Sequence, residues 1–110
     1  MKVLLVNASH PAYNLGLEKA AVWWNRHGAD AERGTEFTRL FELPEAVWIS
    51  AVFSWHVPYL IEVARNALDD GCLVEVGGPG TFGVRDLIQR TTGLIPQATP
   101  DTRFEREAGA

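Results

Sequence analysis

A chain of 110 residues with 46% hydrophobic content suffices for one small domain built on a single sheet-and-helix core, and a second domain does not fit. Its net charge of −4 and its lack of any Lys/Arg cluster argue against nucleic acid or an anionic membrane as partner, because either needs a basic face. No apolar run approaches the length of a bilayer span, and Met1-Lys2 leads into a strand instead of a signal peptide, so a cytoplasmic protein is expected.

In chain order, Lys2-Val3-Leu4-Leu5-Val6 reads as a buried first strand, followed by a polar loop, Asn7-Ala8-Ser9-His10-Pro11. Asn14 is placed to cap a helix whose apolar stripe is Leu17, Ala20, Ala21 and Trp24, and Gly28 ends it. Trp23, adjacent to Trp24, falls near the surface and is a candidate contact for a neighbour. Asp30 to Thr35 is polar and short, as an edge strand is. Glu36 to Glu45, with Phe37, Leu40, Phe41 and Leu43, lacks a clean period and reads as a loop with one helical turn, closed by Pro44.

Val47 to Gly80 then reads as a complete βαβ unit. Val47 to Phe53 is an apolar, β-branched run suited to a strand buried on both faces. Ser54 is placed to cap the next helix and Pro58 falls in its first turn, with Val57, Leu60, Ile61, Ala64, Ala67 and Leu68 as the inward stripe and Gly71 as its stop. Leu73 to Val76 supplies another strand, and Gly77-Gly78-Pro79-Gly80 follows at its carboxyl end. A last helix is expected from Thr81 to Thr92, with Val84, Leu87 and Ile88 inward, and Leu94-Ile95 as a short final strand. This order predicts an α/β fold with a doubly wound, mainly parallel sheet, flavodoxin-like in strand order 2-1-3-4-5, occupying residues 1–96. Residues 97–110 read as a polar linker or tail.

Ligands of such folds bind outside the carboxyl ends of the strands. The candidate site residues are therefore Ser9, His10 and Tyr13 from the first loop, Ser54, Trp55 and His56 from the third, and Gly77, Gly78 and Gly80 from the fourth. Gly78-Pro79-Gly80-Thr81-Phe82-Gly83 matches GxGxxG, yet it follows the fourth strand, carries a proline in its turn and has only Asp101 as a following acid, so nicotinamide binding is disfavoured. Close passage of chain or ligand over the backbone explains those glycines better. A phosphate-accepting receiver domain would need acids where Asn7 and Phe53-Ser54 stand. His10 and His56 reach the same edge, but two histidines with no neighbouring carboxylate or cysteine make a poor metal site, and hydrogen bonds to the loops are the plainer role. Tyr13, Trp55 and Phe82 either line a flat hydrophobic pocket or cover the end of the sheet.

Across nearly its whole length the chain resembles the N-terminal cobalamin-binding-type domain of radical S-adenosylmethionine enzymes. The similarity lies in Lys2 to Asn7, Tyr13 to Lys19, the Phe53-Ser54-Trp55-His56 corner and Val76-Gly77-Gly78-Pro79-Gly80. It implies a non-catalytic accessory domain that covers or serves a C-terminal barrel, with the iron–sulfur cluster and S-adenosylmethionine held there by a CxxxCxxC loop outside this chain. Some domains of this group hold cobalamin and others keep the fold with no cofactor, so the resemblance leaves both open and requires no cofactor of this chain; were cobalamin bound, Gly77-Gly78 and Ser50 or Ser54 would lie near the nucleotide tail. The first loop, Asn7 to Ala12, does not carry the DxHxxG of domains that ligate cobalt through histidine, which implies cobalt without a histidine from this chain. Two other classes remain open: a stand-alone small-ligand or protein-interaction module, and a nucleotide-binding domain. The latter is disfavoured by the lack of a phosphate-cradling first loop.

One cysteine, Cys72, can neither form an internal disulfide nor supply the ligands of a cluster. Anaerobic reconstitution of this chain with iron and sulfide is expected to leave no stoichiometric cluster in optical or spin-resonance spectra; a cluster on the monomer would contradict the assignment.

Overall fold

The computed structural model describes residues 2–37 and 43–97. Residues 38–42, the middle of the Glu36 to Glu45 loop in which one helical turn is expected, and the tail from 98 onward lie outside the described residues. Four strands, β1 (Lys2–Asn7), β2 (Asp30–Gly34), β3 (Ala46–Ser50) and β4 (Leu73–Gly77), form one sheet in the order β2-β1-β3-β4. Every pairing is parallel, and the register aligns Asn7, Ser50 and Gly77 in one row at the carboxyl edge. Three helices connect or follow the strands: α1 (Leu15–Arg26), α2 (Val57–Asp69) and α3 (Arg85–Thr92). The fold is the expected flavodoxin-like, three-layer α/β arrangement.

Alternation along the central strands divides the core in two. Val3, Leu5, Ala46 and Trp48 face α1, where Leu17, Ala20, Ala21 and Trp24 meet them, the stripe expected from the spacing. Val6, Val47, Ile49, Val74 and Val76 face α2 and the single buried residue of α3, Ile88. Strand β3 is buried at all five positions because helices cover both of its faces. Strand β2 is polar and mostly exposed, consistent with its place at the edge. Gly28, at φ 78°, adopts the left-handed conformation that closes α1. No helix among the described residues is long and apolar enough to cross a membrane.

Several boundaries differ from expectation. Strand β3 begins at Ala46 and ends at Ser50: the Ala51 amide makes the last ladder bond, to the Gly77 carbonyl, and the Ala51 carbonyl then accepts from the Gly80 amide of the following turn. A 3-10 turn over Ser54–His56 intervenes before α2, so Ser54 makes no side-chain cap bond and His56 takes the cap position. Pro58 nevertheless falls in the first turn of α2. A second 3-10 turn, Pro79–Val84, delays α3 to Arg85. Leu94-Ile95 form no strand; the edge of β4 is met instead at Gln97, by an isolated parallel bridge to Gly77. On α2 the buried set is Val57, Leu60, Val63, Ala64 and Ala67, while Leu68 is 36% exposed and Ile61 only partly buried. Glu75, which the apolar pattern around it did not single out, is buried on the α1 side of β4, opposite Trp48.

Two leucines of α2 that the periodicity places alike thus differ in environment. Leu60→Ala should cost about 2–5 kcal/mol of stability, whereas Leu68→Ala should cost below about 1 kcal/mol. Urea denaturation of the two variants measures the difference.

Candidate functional site

The carboxyl edge is built on two asparagines and a serine. Asn14, 3% exposed, spends its whole side-chain capacity: Oδ1 accepts from the Leu17 amide (3.1 Å) and Ser50 Oγ (2.9 Å), and Nδ2 donates to the Ser50 carbonyl (3.0 Å) and Asn7 Oδ1 (3.1 Å). Asn7 in turn donates to the Ala12 carbonyl at 3.0 Å and accepts from the Ser9 amide at 2.9 Å, closing the first loop on itself. The His10–Pro11 peptide of this loop is cis. Gly16 lets the first turn of α1 settle on Ser50, since a Cβ there would lie 3.3 Å from Ser50 Oγ.

Ser9, buried at 1% exposure, links this loop to the third one. Its Oγ accepts the Val52 amide at 2.9 Å and lies 2.8 Å from His56 Nδ1. A serine–histidine pair at that distance has the spacing of a nucleophile and its base. Here the hydroxyl is enclosed and already bonded to backbone, so the pair fastens one loop to another. The adjoining rings of Phe53 and Trp55 stack nearly parallel, with centroids 4.6 Å apart and planes 5° apart, and His56 packs against both. Trp55 remains 69% exposed, with Phe82 also open on the following loop.

The glycines of the fourth loop are explained by the chain itself. A Cβ at Gly77 would run into the Gln97 carbonyl and the Trp48 ring, one at Gly78 into the Ala51 carbonyl and Ser50 Oγ, and one at Gly80 into the Phe53 backbone at 2.5 Å. Gly78 also adopts φ 99°. The close approach expected at these residues is therefore made by protein backbone. The room that a missing side chain leaves there is filled.

His10 and Tyr13 turn toward β2. With Asn7, Leu17 and Thr35 they line an open cleft of about 280 Å³ whose rim carries Glu18 and Arg33. Arg33 grips the Glu18 carboxylate through Nε (2.9 Å) and Nη2 (2.6 Å). Hydrogen bonding from Arg33 holds the Glu18 carboxyl below its ordinary value, and the same bond raises Arg33. The edge is thus two surfaces: an aromatic corner carrying Ser9, Ser54, Trp55, His56 and Gly80, and a polar cleft carrying His10 and Tyr13. Asn7 and the Glu18–Arg33 pair were not picked out by sequence patterns. A usable signal was that β1 and β3 both end on a polar residue at the same register position.

Other reactive groups lie apart from this edge. Burial, then the charge of Asp70, pushes the Cys72 thiol up, and its Sγ donates to the Pro44 carbonyl at 3.2 Å. Among the described residues no group of three or more His, Cys, Asp or Glu side chains is placed to hold a metal ion. Compared with known proteins, the chain matches no family model, no curated protein and no solved structure.

Two glycines of the GxGxxG string now separate. Gly80→Ala should lower stability by about 1–3 kcal/mol through overpacking against Phe53. At Gly83 a Cβ meets nothing within 4 Å, and Gly83→Ala should change stability by no more than about 0.5 kcal/mol. Thermal or urea unfolding decides between packing and ligand contact as the reason for the motif.

Proposed function

We propose that this chain is a non-catalytic, cobalamin-binding-like accessory domain of a radical S-adenosylmethionine enzyme, and that its aromatic corner is the surface covered by the rest of that assembly in the cytoplasm. The observation that carries the corner's role is the Phe53–Trp55 stack, which is held in place yet leaves an indole 69% exposed. Such a ring adds little to the core of its own domain, and its large apolar area is worth most when another surface covers it.

The cofactor part of the reading is selective about which residues can take part. Gly77, Gly78 and Gly80 have their open sides filled by Gln97, Ser50, Ala51 and Phe53, so they offer no channel for a nucleotide tail. A corrin would instead meet Trp55 and Phe82. Cobalt ligation by His56 is disfavoured, because a free Nε2 lone pair would require the proton on Nδ1, and the buried Ser9 hydroxyl would then have no acceptor for its own proton. A second reading, a small-ligand module of the same fold, is favoured by the cleft beside the Glu18–Arg33 pair.

Titrating the full chain with hydroxocobalamin tests the cofactor reading. Weak saturable binding is expected, with no histidine-ligated visible spectrum and with loss in Trp55→Ala, because affinity rests on one open face. A histidine-ligated spectrum that disappears in His10→Ala or His56→Ala would overturn the placement. No spectral change at millimolar cofactor would remove cobalamin and leave the corner as a protein-contact surface.

A further inference from the structure

The hydrogen-bond balance at Ser9 fixes the chemistry that the aromatic corner presents. Ser9 Oγ accepts the Val52 amide, and at 1% exposure it has no water to turn to. Its single proton has His56 Nδ1, at 2.8 Å, as its acceptor. Were the imidazole to donate from Nδ1 instead, the serine proton would be left buried without an acceptor, which is disfavoured. His56 is therefore the tautomer with its proton on Nε2, and among the described residues that N–H has no hydrogen-bond partner. The Trp55 indole N–H likewise has no partner among the described residues, and its ring is 69% exposed, with one face on Phe53 and the other open. The ring N–H groups of the exposed Trp55 and the partly buried His56 are thus donors, set beside a flat apolar face.

The complementary ligand supplies carbonyl acceptors, needs few acceptors in return, and carries flat apolar rings. A proline-rich segment in the polyproline II conformation meets all three conditions: its prolines lack N–H, its carbonyls point outward, and it is stiff before it binds. We propose that the Phe53–Trp55–His56 corner binds extended proline-rich segments, a pyrrolidine ring packing on the open face of Trp55 while the His56 and Trp55 N–H groups donate to peptide carbonyls. This rests on the reading of the corner as the surface that a partner covers, and it names the chemistry of that partner.

The probe is a polyproline peptide of about ten residues, added to the isotope-labelled full chain and followed by nuclear magnetic resonance. A glycine-serine peptide of equal length and adenosine serve as comparisons. Saturable shifts at the Trp55 indole N–H and the His56 ring are expected with polyproline alone, weakened at least about tenfold in Trp55→Ala. In Ser9→Ala, which keeps every ring but releases the imidazole, binding should fall several-fold. Long-range proton–nitrogen correlations of the imidazole should show the Nε2–H form in the parent and a mixture in that variant. No shift at the corner, equal shifts with the glycine-serine peptide, binding of adenosine alone, or an Nδ1–H imidazole in the parent would each overturn the proposal. Failure with polyproline while hydroxocobalamin still binds through Trp55 would remove this inference and leave the cofactor reading standing. Indifference of both probes to Trp55→Ala would remove the corner from both.

Discussion

The carboxyl edge depends on the side chain of Asn14. A parallel sheet must send its chain away from each strand end, and at this edge polar backbone groups are drawn into partly enclosed space where each needs a partner. One amide supplies several at once: it caps α1, ties that cap to the end of β3 through Ser50, and holds the first loop through Asn7. Because the amide has no capacity left, the three segments cannot shift independently without leaving a buried group unpaired. The positions of Ser9, and through it of His56 and Trp55, follow from that anchor.

The architecture was legible because apolar spacing and burial agree over most of the chain. The α1 stripe of Leu17, Ala20, Ala21 and Trp24 is buried as its periodicity requires, and the β2-β1-β3-β4 order follows from strands joined by helical crossovers. Legibility failed where two structures share one composition. Ala51, Val52 and Phe53 continue the apolar run of β3, and nothing local marks that the ladder stops at Ser50; beyond it the Ala51 carbonyl is taken by the Gly80 amide from another part of the chain. Ser54 fits a cap by type, yet the 3-10 turn moves the helix start beyond its reach. The Asn14 cap was visible because its bond to Leu17 is three residues away, whereas its bonds to Ser50 span thirty-six.

The site was legible in outline for a similar reason. Fold topology alone directs the loops after β1, β3 and β4 to one edge, so naming their polar and aromatic residues is sound. It cannot tell which of them are consumed internally. Ser9, Gly77, Gly78 and Gly80 are engaged by protein groups, while Trp55, Tyr13 and Phe82 remain open. That division depends on side-chain partners distant in sequence.

The separation between the Asn14 anchor and the exposed rings bears on how such a domain can change over generations. Ser9, Asn14 and Ser50, which close the hydrogen bonds of the edge, are buried and mutually dependent, so a substitution at one would require adjustment at others. Trp55, Phe82 and Tyr13 are exposed, so replacing them should leave the folded state largely intact. The exposed face of this edge can therefore drift without passing through unfolded intermediates. A single scaffold can acquire, exchange or lose a binding partner by altering a few surface rings while its framework stays fixed.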